Sequence, residues 1–137
     1  MKRVLVVDSD PRVCEAIHKE LSVMSHAVYF AFDAVQAISQ AHKCKPDLVI
    51  VDLSLPAGNG LSVVERLRAM TPFVRTPIIV IAERGARLQA GRVLDAGANA
   101  FLSKPLGRQR LLEQVANLLP REKPQDAWMD TMQLLTK

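Results

Sequence analysis

Five short apolar runs alternate along this chain with segments whose apolar residues recur every three or four positions, and that alternation constrains the fold more than any other feature. Val4 to Val7 is a continuous apolar stretch bounded by charge, as suits a strand buried on both faces. Asp10 then precedes Pro11, an N-cap before proline at the first helical position, and Val13, Ala16, Ile17, Leu21 and Met24 follow at helical spacing. The β-formers of residues 27–32 predict a second strand, and Asp33 caps a helix carrying Ala34, Ile38 and Ala41, which Lys45-Pro46 ends. Leu48 to Val51 is the third strand. Helix three opens near Gly60, runs through Leu61, Val63, Val64, Leu67 and Met70, and is closed by Pro72. Residues 77–81 form strand four, and Leu88, Val93 and Leu94 mark a fourth helix stopping at Gly97. Phe101 to Ser103 is a short fifth strand, and from Arg108 to Leu119 the apolar Leu111, Leu112, Val115, Leu118 and Leu119 give a fifth amphipathic helix, ended by Pro120.

Strands alternating with helices of this length imply a parallel sheet covered on both faces and right-handed crossovers. The expected fold is therefore α/β: a flavodoxin-like (βα)5 three-layer sandwich with strand order 2-1-3-4-5. One domain over residues 1–120 accounts for the pattern. Residues 121–137 are polar and proline-bearing, then carry Trp128, Met132 and Leu135 at helical spacing, and read as a tail helix or a linker.

With 137 residues, 49% hydrophobic and 23% charged, the chain has the composition of an ordinary globular domain, and no apolar run approaches the roughly 20 residues of a membrane span. The four apolar residues before Asp8 are too few for a secretory signal, so a cytoplasmic location is expected. Cys14 and Cys44 lie in helical patterns without metal-binding spacing; neither a disulfide nor a zinc site is expected. Residues 1–60 hold six Lys/Arg against seven Asp/Glu and residues 61–137 hold twelve against seven, which places the net +4 in the second half. Arg75, Arg84, Arg87 and Arg92 form no continuous run with interleaved aromatics, so a solvated basic face is expected rather than a nucleic-acid site.

The chemistry gathers at strand ends. Open parallel sheets bind ligands outside the carboxyl ends of their strands, and strands one, three and five end in Asp8, Asp52 and Lys104, strands that this order is expected to make neighbours. Two repelling carboxylates favour a divalent cation, and oxygen ligands in an exposed loop suit Mg²⁺. Lys104, with Pro105 behind it, can neutralise a phosphoryl oxygen, so the set supports attack by Asp52 on phosphorus to give an aspartyl phosphate. The plainer readings are that Asp52 only opens a turn and that Lys104 only pairs with Asp8 or Asp52.

Residues 6–11, 46–56 with Gly58 and Gly60, 77–81 and 97–105 resemble, in order and spacing, the successive motifs of the receiver domains of two-component response regulators, over residues 2 to about 119. That resemblance implies that Asp52 accepts a phosphoryl group from a histidine kinase or phosphotransfer protein, that Lys104 contacts the phosphate, and that Asp8, Asp52 and the backbone carbonyl of Ser54 hold Mg²⁺. It also implies signalling through the face built from helix four, strand five and helix five to an output partner, leaves a homodimer through that face open, and gives no reason to expect nucleic-acid or membrane binding. Two positions depart from the pattern. Ser9 stands where the family usually has a second acid, a weaker Mg²⁺ ligand because a hard cation prefers charged oxygen. Ala82 stands where a Ser or Thr hydroxyl usually reaches the phosphorylated Asp, and a methyl donates no hydrogen bond. Phe101 occupies the aromatic switch position and reads equally as core.

Three functions compete on these residues. The first is a divergent receiver phosphorylated on Asp52. The second keeps the fold but abandons phosphotransfer, with Arg84, Arg87, Arg92 and Arg108 on a partner-docking surface. The third takes Asp8-Ser9-Asp10 as the DxD of haloacid-dehalogenase-like phosphatases, Asp8 the nucleophile and Asp10 the general acid; it lacks the adjacent acids such enzymes need after a later strand.

Overall fold

The computed structural model describes residues 2–119. Strands β1 (Arg3–Val7), β2 (Ala27–Ala31), β3 (Leu48–Asp52), β4 (Ile78–Ala82) and β5 (Ala100–Ser103) alternate with helices α1 (Pro11–Val23), α2 (Ala34–Cys44), α3 (Gly60–Arg68), α4 (Ala90–Asp95) and α5 (Arg108–Leu118). All strand pairings are parallel, in the order β2-β1-β3-β4-β5, as the flavodoxin-like reading expects.

The period-two alternation of strand side chains sorts the core into two halves. Leu5, Val7, Val49, Val51, Ile78 and Val80 meet α2, α3 and Val93 of α4 on one face. Val4, Val6, Leu48, Ile50, Ile79, Ile81 and Leu102 meet Cys14, Ile17 and Leu21 of α1 and Leu111 and Val115 of α5 on the other. Strands β3 and β4 are buried along their whole length, which is why they read as unbroken apolar runs.

Local chemistry starts the helices. The Asp10 side chain accepts from the Arg12 amide with Pro11 in the first turn, and Asp33 accepts from the Gln36 amide. Asn59 and Ser62, three residues apart, form a reciprocal capping box that starts α3 one residue after Asn59.

Helix four departs from expectation. Arg84–Gln89 is 3-10 helix, α4 itself has six residues, and of the expected apolar stripe only Val93 is buried while Leu88 is 98% exposed. Three residues per turn rotate Leu88 off the face that a 3.6-residue period would assign it. Met24, expected on the apolar face of α1, is its C-cap and partly exposed. The tail or linker at 121–137 lies outside the described residues. Among those that are described, no helix is long and apolar enough to cross a membrane.

Candidate functional site

Residues 8, 52 and 104 all sit at the open C-terminal edge of the sheet. By strand alternation they also share one face: Asp8 continues Val4 and Val6, Asp52 continues Leu48 and Ile50, and Lys104 continues Leu102, all on the side of α1 and α5. Only β1 and β3 are adjacent, however; β4 separates β3 from β5, so the expectation that all three strands are neighbours is corrected. Two strand spacings amount to roughly 10 Å, and the four-carbon stem of lysine covers much of that span. Lys104 leans across the end of β4, its own amide donating to the Ala82 carbonyl at 2.7 Å.

There its ammonium meets both acids, Nζ lying 3.1 Å from Asp8 Oδ2 and 3.4 Å from Asp52 Oδ1. Glu83 Oε1 is the third carboxylate oxygen on it, at 3.8 Å. Asp8 and Asp52 are 1% and 5% exposed, the buried acids of the described residues. Asp8 Oδ1 accepts the Asp10 amide at 2.8 Å. Asp8 Oδ2 and Asp52 Oδ1 have the shared Lys104 ammonium as their polar neighbour and no well-aligned donor among the described residues. Burial, and then the neighbouring Asp8, push the Asp52 carboxyl above its ordinary range against the opposing pull of Lys104. For Lys104 burial works downward, but Asp8 and Asp52 outweigh it and the ammonium is held above its ordinary range.

Two buried carboxylates that share one ammonium keep lone pairs unsatisfied, and a hard cation would satisfy them. Ser54, two residues past Asp52, is exposed, and its carbonyl accepts no hydrogen bond among the described residues. Among those residues no three acidic, His or Cys side chains gather as a metal site, so the protein offers two carboxylates and a carbonyl, with water for the remaining positions. That donor set fits Mg²⁺, which keeps several of its waters. Ser9 is exposed beside it.

Gly60 brings α3 directly under the site, its amide donating to the Leu53 carbonyl at 2.8 Å. Ala82 is buried at the end of β4, and Phe101 is half-buried against the core of the α2–α4 face. Cys14, a buried free thiol pushed up to about 11 mainly by burial, donates to the Asp8 carbonyl at 3.4 Å. Asp10 is bound to Arg12 at the rim of the groove, and that side-chain hydrogen bond holds the Asp10 carboxyl below its ordinary range. A general acid needs the opposite shift, so the phosphatase reading loses its proton donor. Arg108 also departs from its expected surface: it pairs with Glu20 of α1 at 2.7 Å, across a groove of about 940 Å³ between α1 and the β5–α5 loop that opens onto Lys104. Glu83 had no assigned role in the sequence; its signal was its position immediately after β4, at the sheet edge where the other charges gather.

A flavodoxin-like sheet with two acids and a lysine in one pit defines a class, the receiver domains. The chain belongs to the response regulator receiver domain family, whose model matches residues 4–116. It is 36% identical over 125 residues to response regulator MprA of Mycobacterium tuberculosis (strain H37Rv), covering 91% of this chain and 54% of that protein. It spans about half the length of the curated relatives it matches. Among solved structures, a putative response regulator from Chloroflexus aurantiacus superposes with a TM-score of 0.83 at 31% identity, covering 88% of this chain and 98% of that one. The receiver domain of sensor histidine kinase PA1611 from Pseudomonas aeruginosa, solved with magnesium in its active-site cleft, has a TM-score of 0.78 at 26% identity over 85% of this chain and 96% of that one.

Proposed function

We propose that this domain accepts a phosphoryl group on Asp52 from a phosphohistidine of a histidine kinase or phosphotransfer protein. In the transfer an Asp52 carboxylate oxygen forms the new bond to phosphorus, the phosphorus–nitrogen bond breaks, and the imidazole leaves and is protonated. The observation that carries this reading is the convergence of Lys104 on Asp8 Oδ2 and Asp52 Oδ1, two buried carboxylate oxygens that share one ammonium. Asp8, Asp52 and the Ser54 carbonyl hold Mg²⁺, which supplies neutralisation of charge on the transferring group. Lys104 moves from its carboxylates toward a phosphoryl oxygen. The exposed Ser9 makes cation binding weaker than a second acid would.

Signalling runs through the α4-β5-α5 face; Phe101 of β5 is half-buried, and Leu88 is exposed beside Arg87 in the 3-10 segment that leads into α4. Ala82 leaves that route without a hydroxyl handle, and this methyl is the observation favouring the second reading, an interaction module that works unphosphorylated. Incubation with acetyl phosphate and Mg²⁺ separates the two. The expected result is one phosphoryl mass gain on the wild type and none on Asp52→Asn; a wild type that gains no mass leaves the interaction module.

A further inference from the structure

Three carboxylates share the Lys104 ammonium, and they are not equivalent. Asp8 and Asp52 are buried, but the Glu83 side chain is 75% exposed while still 3.8 Å from Nζ. Glu83 is the first residue beyond β4, the strand that Lys104 must cross to reach Asp52. It lines both openings that flank this edge: the groove against α1 and a smaller cleft of about 290 Å³ beneath the β3–α3 loop, which Ala82 also lines. Three carboxylates thus face one ammonium, and the most solvent-facing of them, Glu83, stands where a ligand would enter, on the same groove as Arg84.

We propose that Glu83 is an electrostatic guard of the pit: it occupies the solvent side of Lys104, assists entry of a divalent cation, and opposes entry of phosphoryl oxygens until it is displaced. This is a specificity-determining role, and it rests on the reading of Asp52 as phosphoacceptor. The physical basis is competition for one ammonium. An incoming phosphoryl oxygen needs the Nζ that Glu83 engages, and meets the repulsion of its carboxylate as well. A cation feels the same carboxylate with opposite sign. Because the side chain is exposed, water and salt screen both effects, and each is expected to be roughly two- to fivefold.

The test uses the whole chain as wild type, Glu83→Gln, Glu83→Ala and Asp52→Asn, with three probes: Mg²⁺ alone, beryllofluoride with saturating Mg²⁺, and acetyl phosphate. Affinities are read by NMR titration and phosphoryl uptake by intact mass. Glu83→Gln keeps the bulk and removes the charge; it is expected to weaken Mg²⁺ binding while tightening beryllofluoride and speeding uptake, with both differences shrinking at high salt. Opposite signs for cation and anion are something a folding defect does not produce. Equal values for Glu83→Gln and wild type overturn the guard, as do two shifts of the same sign. Faster uptake in Glu83→Ala with Glu83→Gln unchanged assigns the effect to bulk and also overturns it. If wild type and both Glu83 variants bind beryllofluoride no better than Asp52→Asn, the phosphoacceptor reading fails and the guard with it.

Discussion

Gly60 rests against the carbonyl of Asp52 so closely that a β-carbon on residue 60 would overlap that oxygen and come within 2.7 Å of the Leu53 Cα. The obstacles are backbone atoms, which cannot rotate aside as a side chain does. The glycine therefore lets the first turn of α3 press on the end of β3 and fix the direction in which Asp52 leaves the strand.

Gly60→Ala is expected to cost about 2–3 kcal/mol, as overpacking against rigid neighbours does, and to slow phosphoryl uptake by shifting Asp52. Urea denaturation and the acetyl phosphate assay measure the two effects; a variant as stable and as reactive as the wild type contradicts the role given to this contact.

Arg68 donates to the carbonyls of Gly97, Phe73 and Thr76 and to Asn99 Oδ1, all between 2.7 and 3.0 Å, and so ties α3 to the segments that lead into β4 and β5. No carboxylate is among these partners, and burial lowers the pKa of the guanidinium from its ordinary value. Arg68→Met strips several half-buried carbonyls of donors at once, for an expected loss of roughly 3 kcal/mol or more. Arg68→Lys recovers only part of it, because a point ammonium cannot reproduce the fork. Chemical denaturation of both variants checks the ranking.

His26 has both ring nitrogens out of contact with solvent and without hydrogen-bond partners among the described residues, and burial holds its pKa below the ordinary 6.5. The unfolded chain thus takes up a proton at a higher pH than the folded one. Its contribution to stability is complete well above pH 6.5 and is lost as pH falls from there through the folded pKa. His26→Phe is expected to flatten that part of the stability profile, measured as urea midpoints across the range. An unchanged slope assigns it to other groups.

The raised Asp52 carboxyl has the reverse sign. Above the ordinary 3.8 the unfolded chain ionises first, so the wild type loses stability relative to Asp52→Asn until the folded carboxyl has also ionised, after which the difference is constant. In a chelator, Asp52→Asn is expected to melt higher than the wild type at neutral pH. A lower melting temperature would mean that Lys104 outweighs burial and Asp8.

Ala82→Ser adds a hydroxyl beside the cleft of about 290 Å³ that Ala82 lines. The space accepts one oxygen, so the expected change in stability is within about 1 kcal/mol. Amide shifts in residues 83–95 on beryllofluoride binding are expected to grow, since the bound oxygens gain a donor on β4. Identical shifts in both proteins would show that this position does not couple the pit to α4.

Periodicity was sufficient for the alternating elements and for the sheet-edge position of Asp8, Asp52 and Lys104, because each depends on residues close in the chain and on the fixed two- and 3.6-residue repeats. Proline and Asp caps at positions 10, 11 and 33 carried the starts of α1 and α2 for the same reason. What only the tertiary structure decided was distance between strangers: Lys104 reaching over β4, Glu83 joining the ammonium, Arg108 turning to Glu20, Arg68 binding four loop residues. Those contacts depend on sheet order, on loop closure and on where a long flexible side chain finds its charge partner, none of which has a period that a sequence can display. Leu88 marks the boundary between the two: its hydrophobicity was legible, but a tightened turn, set by how the chain returns from β4, left it in solvent.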